Sequence, residues 1–140
     1  MPTTQDIFRS GPRRNGVYAG TTLLVAVVDV DPTIASAGTG VVLPKGAIIV
    51  NTIGNGGATG GTDPTLNIGN ATTANAYANE MDADGITDAL GNGNSGAEVL
   101  TPLTEDTEIY AGVGSSAATG GTVNATILYY RQDPLNGKNV

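Results

Sequence analysis

Any chemistry this sequence performs has to come from carboxylates, hydroxyls and amides, because the chain contains no His and no Cys. Their absence removes the usual general base, the thiol nucleophile and the commonest zinc ligands. Ser-His-Asp, Cys-His and zinc-hydrolase mechanisms therefore cannot be assembled from this chain alone. Two acidic groups remain as candidates for acid–base work: Glu80 with Asp82 or Asp84, and Glu105 with Asp106 and Glu108. Glycosidase carboxylates must face one another across a substrate cleft, whereas both groups here are local clusters on turn-forming sequence. The expectation is a protein that is not an enzyme and has no catalytic residue.

Asp82-Ala-Asp84-Gly85 looks like the opening of an oxygen-ligand calcium loop. The pattern then fails, since Ile86 stands where a third ligand belongs and Gly93 occupies the twelfth position, which calls for Glu. The stretch reads as an Asp-rich turn, with Asp82 and Asp84 kept only as candidate metal ligands. Gly56 to Gly61 offers no phosphate cradle, because no Lys and no helix-forming segment follow it. No cofactor is expected.

The elements that would position such residues are strands. From Gly16 onward Gly and Pro interrupt every window before a 3.6-residue apolar period completes three turns, while two-residue alternation recurs. In 122–131, Val123, Ala125, Ile127 and Tyr129 fall on one face and Thr122, Asn124, Thr126, Leu128 and Tyr130 on the other. In 107–113, Ile109, Ala111 and Val113 share a face, and the Gly- and Ser-rich link that follows predicts a hairpin with 122–131. Further strands are expected at 18–30, at 41–53 with a break at Leu43-Pro-Lys-Gly46, and at 65–69 with Leu66 and Ile68 inward. The four Ala of 71–79 could make a helical turn, but Thr72, Thr73, Asn75 and Tyr77 suit an extended edge, and the stretch reads as strand. Seven or eight short strands give an all-β fold, an antiparallel β-sandwich of jelly-roll type, although an immunoglobulin-like sandwich shares these local features.

A chain of 140 residues without a composition break is one domain. Its 39% hydrophobic content includes 17 Ala, a single Phe and no Trp, so the core is thin. Twenty-one Gly add a conformational entropy cost. Subunit contacts that remove more apolar surface from water would offset both, which predicts a homo-oligomer. The net charge of −7 is uneven: Arg9, Arg13 and Arg14 face one acid, Asp6, in the first 14 residues, against three cations and twelve acids in the remainder. An extended basic arm over 1–15 ahead of a sandwich domain over 16–140 follows. An acidic body disfavours nucleic acid. The start of the chain lacks a secretory h-region and no apolar run is long enough for a bilayer, so a soluble protein made in the cytoplasm, with no membrane partner, is expected.

Leu43-Pro-Lys-Gly-Ala-Ile-Ile-Val50, Pro64-Thr-Leu-Asn-Ile-Gly-Asn70 with the Ala-Asn-Ala-Tyr stretch after it, and Leu103-Thr-Glu-Asp-Thr-Glu-Ile-Tyr-Ala111 leading into 122–130 resemble small β-sandwich virion proteins of tailed bacteriophages, of the capsid decoration (cement) type. The resemblance covers roughly 43–131 and its motifs are structural. It implies a homotrimer on the virion surface that binds the major capsid protein and stabilises contacts between its subunits, with a terminal arm reaching a neighbouring subunit. On that basis Phe8, Arg9, Arg13 and Arg14 of the arm, with Tyr130 and Arg131, are the expected partner-binding residues. The alternative is a phage fibre, knob or adsorption module that binds host-surface glycan through exposed Tyr and Asn.

Overall fold

The run Leu-Leu-Val-Ala-Val-Val-Asp-Val is rich in β-branched and aliphatic residues, which suit a pleated surface, and it builds the first strand, β1 (Leu23–Val30). The computed structural model describes residues 22–84 and 96–131. Eight further strands follow: β2 (Ala37–Leu43), β3 (Ala47–Asn55), β4 (Ala58–Thr59), β5 (Thr65–Gly69), β6 (Ala78–Asp82), β7 (Thr107–Val113), β8 (Gly120–Gly121) and β9 (Val123–Arg131). No helix occurs among the described residues.

Strands β1-β9-β3 form one sheet, β2-β7-β5-β6 a second, and the short pair β4-β8 a third. Every pairing is antiparallel. Consecutive long strands mostly alternate between the two larger sheets. Between β6 and β7 the chain visits the free edge of β3, where Ile48 bridges Pro102. There the Leu100 N–H donates to the Ile49 carbonyl at 2.8 Å and the Leu103 N–H to the Ala47 carbonyl at 2.9 Å. With that segment counted as a fourth edge, two interleaved four-stranded layers result, the connectivity of a jelly roll. The expected β-sandwich is thus the observed fold, and the strand order decides for the jelly roll over the immunoglobulin-like arrangement.

The core between the layers is thin, as the composition implied. Among the described residues twenty apolar ones are buried in it; eight of these are Ala, and Tyr77 is the one aromatic ring. The inward sets expected for β5 and β9 are buried: Leu66, Ile68, Val123, Ala125 and Ile127 are at 0% exposure. Thr52 is buried among them with a hydroxyl that has no hydrogen-bond partner among the described residues.

Two expectations need correction. Strands β7 and β9 do not form a hairpin but lie in different sheets. The link between them is held piecewise by other segments: the Gly114 N–H donates to Thr65, Ala118 to Pro32 and Thr119 to Thr59, each through a backbone carbonyl, and β8 pairs with β4. Alternation reveals two strands and a loop but not the partner of either strand. The second correction concerns 71–79, which is extended only from Ala78. Before that, Asn70 Oδ1 accepts the N–H groups of Thr72 and Thr73 at 3.0 and 2.8 Å. An Asx turn of this kind competes with strand pairing. The break expected at Pro44 and Lys45 is present between β2 and β3, although β2 begins earlier than expected, at Ala37.

Candidate functional site

Both acidic groups are occupied with holding backbone. Glu80 has φ of 58°. Its N–H donates to Asn67 Oδ1 at 2.7 Å. Its Oε2 accepts the Thr65 hydroxyl at 2.6 Å, the Ser115 N–H at 3.0 Å and the Ser115 hydroxyl at 2.8 Å. These bonds, the Thr65 hydroxyl first, favour the charged form and hold the Glu80 carboxyl below its ordinary value. Asp84 donates its N–H to Asp82 Oδ1 at 3.1 Å, the Asp-rich turn expected from sequence. The Asp84 carboxyl is raised, chiefly by sharing a hydrogen bond with Asp82, then by desolvation and by the charges of Asp82 and Asp63. Among the described residues no group of three or more His, Cys, Asp or Glu is placed to hold a metal ion.

The second acidic group lines a groove of about 480 Å³ together with Asn70, Tyr77, Glu98 and Tyr110. Asp106 Oδ1 accepts the Lys45 N–H at 2.9 Å, and Glu108 Oε2 accepts the Gly40 N–H at 3.0 Å. Tyr77 lies on the groove's inner wall. Burial raises its hydroxyl pKa, a hydrogen bond from Asn70 opposes the shift, and the Glu98 charge adds to it. The groove is strongly anionic, with Glu98, Glu105, Asp106 and Glu108 in its lining.

The most unusual surface is the outer face of β1-β9-β3. Paired residues of antiparallel strands share a face, so the register defines its rows. Leu23 pairs with Tyr130 and Tyr130 with Ile48; Val25 pairs with Leu128 and Leu128 with Asn51; Val27 pairs with Thr126 and Thr126 with Ile53. Leu23, Val25 and Val27 are 47%, 56% and 57% exposed. At the edge of β3, where its N–H donates to the Ile49 carbonyl, Leu100 is 66% exposed and at φ of 70°, a left-handed conformation that costs a non-glycine residue roughly 1 kcal/mol or more. Soluble proteins rarely leave a contiguous apolar patch open without a partner for it.

Of the expected partner-binding residues, Tyr130 lies in the first row of this face, and Arg131 follows it at the end of β9. Phe8, Arg9, Arg13 and Arg14 lie outside the described residues. Sequence reasoning missed the apolar rows of β1. The indication was present, because a strand apolar at both odd and even positions reads as covered on both faces.

Neither a protein-family model nor a curated protein matches the sequence. Solved structures do. The chain is similar to a component of a structure described as the cyanophage Pam1 capsid asymmetric unit, with a TM-score of 0.61 and 25% identity over 81% of this chain and 88% of that one. It is also similar in fold to a component of the acidic stable capsid structure of the Helicobacter pylori bacteriophage KHP30. Here the TM-score is 0.55 and the identity 16%, over 80% of this chain and 90% of that one.

Proposed function

We propose that this protein is a structural component of a phage virion, a capsid decoration protein that binds the outer shell as a homo-oligomer and stabilises contacts between major capsid protein subunits. The observation that carries the reading is the likeness, over 81% of this chain and 88% of the other, to a phage capsid component at 25% identity. Supporting it, the two acidic groups that might have served catalysis are engaged with backbone N–H groups. The outer face of β1-β9-β3 exposes Leu23, Val25, Val27 and Tyr130, an apolar sheet face suited to docking.

The mechanism is additive. Each copy removes apolar surface from water across a seam between shell subunits, at about 25 cal/mol per Å². Copies joined to one another gain avidity that no single contact has. The barrier to shell opening under internal genome pressure rises accordingly.

The test is to add purified full-length protein to expanded capsids lacking it and to measure occupancy and capsid melting. Saturable decoration of the shell with a higher melting temperature is expected. Absence of binding to the shell, or immunogold label at the tail, overturns the reading and favours the adsorption module.

A further inference from the structure

A strand at the edge of a sheet presents unpaired N–H and C=O groups, and proteins blunt such edges with a bulge, a charge, a Pro or a covering segment. Three of the four edges of the two larger sheets are blunted in this way. That of β3 is covered by residues 100–103, through the Leu100 and Leu103 N–H groups. That of β2 loses its register between Gly38 and Val42, with Gly40 at φ of 81°. That of β6 is five residues long and holds Glu80 at φ of 58°. Strand β1 is the exception. Among the described residues its outer edge has no partner strand, its register with β9 runs unbroken over eight residues, and it holds neither Pro nor Lys.

An edge of this kind accepts an extended apolar strand with no charge opposite its apolar side chains, and β1 of a second copy meets that condition. Directly opposed residues share a face, so the outward set Leu23, Val25, Val27 and Asp29 has to oppose itself. Among the antiparallel registers that keep this parity, centring on Ala26 sets Leu23 against Asp29, and centring on Val27 sets Val25 against Asp29. Centring on Val25 opposes Leu23 to Val27 and Leu24 to Ala26, with every pair apolar. The same register answers the charge problem. The described residues carry ten carboxylates against Lys45 and Arg131 alone, so two copies repel wherever acids meet. Here the two Asp29 side chains fall at opposite ends, eight residues or roughly 27 Å apart, well beyond the screening length of about 8 Å. Five opposed residues per strand make a contact well under the roughly 1,200 Å² of a stable interface. The pairing is therefore weak and concentration-dependent in solution.

We propose that β1 of one copy pairs antiparallel with β1 of a second copy about a two-fold axis at Val25. The two three-stranded sheets become one of six strands, and their outer apolar rows join into a single surface that spans both copies. The inference deepens the homo-oligomer of the proposed function by naming one of its contacts, and it rests on that reading for the use of the joined face on a shell.

The absence of Cys from the chain permits a direct test on the free full-length protein. Under mild oxidation Val25→Cys is expected to form a disulfide between two chains, and a mixture of Leu23→Cys with Val27→Cys to form the mixed one. Val27→Cys alone stays reduced, because the two copies of residue 27 lie about 14 Å apart along the strands and a disulfide needs Cα atoms within about 7 Å. In sedimentation the wild type gains mass as its concentration rises. Val25→Glu sets like charges opposite one another at a position that is 56% exposed, and lowers the association several-fold with the far-UV circular dichroism unchanged. No interchain disulfide at Val25, equal closure at Val27, or association unaltered by Val25→Glu overturns the proposal. A wild type that stays monomeric at every concentration overturns it too, and β1 amides protected from exchange in that monomer would assign the edge to another segment of its own chain. No shell is present in these measurements, so their failure is distinct from failure to decorate capsids.

Discussion

Glu80 ties two distant segments of the fold together, since one carboxylate joins Thr65 at the start of β5 to Ser115 in the link after β7. Hydrogen bonds to a charged group contribute about 1.5–3 kcal/mol in sheltered sites. Glu80 is close to solvent, so about 1 kcal/mol is the expected cost of Glu80→Ala at neutral pH once screening is allowed for. The sign with pH follows from the direction of its shift. A carboxyl held below the ordinary 4.5 stabilises the fold above that pH, and the contribution disappears as pH falls through the folded-state value. Urea denaturation should therefore separate wild type from Glu80→Ala at pH 7, and the gap should close as the pH is lowered below 4.5 and through the folded-state value. A gap that persists at low pH would mean that packing, and not charge, is what the side chain supplies. The sequence marks Glu80 as an acid in an acidic stretch. It cannot mark it as a clamp, because its partners are 15 and 35 residues away.

At the scale of elements, a glycine decides how closely one connection can cross a sheet. Gly112, in β7, lies beneath the chain entering β2, and a Cβ placed on it would stand 2.5 Å from the Ser36 nitrogen and 2.6 Å from the Ala35 carbonyl carbon. These are backbone atoms that cannot swing aside, so Gly112→Ala has to displace the 35–36 segment. The expected cost is about 2–3 kcal/mol, in the range of overpacked cores, with loss of amide protection across β2 and β7 in hydrogen exchange. Much of this level was legible beforehand. The inward residues of β5 and β9 followed from alternation, and the interruption between β2 and β3 followed from Pro44. The pairing of β7 and β9 did not, because sheet membership is fixed by contacts such as Ala118 with Pro32 that leave no local trace in the sequence. The outer face of β1 lay between these cases. Its residues were visible as a long apolar run, but the exposure of alternate ones depends on what lies over that sheet.

For the whole molecule, the thin core and the homo-oligomer expected from it are linked quantitatively. With eight alanines among twenty core residues, each layer buries little side-chain volume per strand, and twenty-one glycines raise the entropy lost on folding. If copies associate through apolar surface that unfolding would release, stability follows mass action, and the melting temperature must depend on protein concentration. For a chain of this length, a free-energy change of about 1 kcal/mol per protomer shifts the midpoint by roughly 2–4 °C. A rise of about that size is therefore expected for each tenfold increase in concentration, read by scanning calorimetry over two decades, with light scattering reporting the assembled mass. A midpoint that stays fixed while light scattering reports monomers would show that the Ala-rich core and the Glu80 clamp suffice for an isolated copy. Subunit contacts would then contribute on the shell alone.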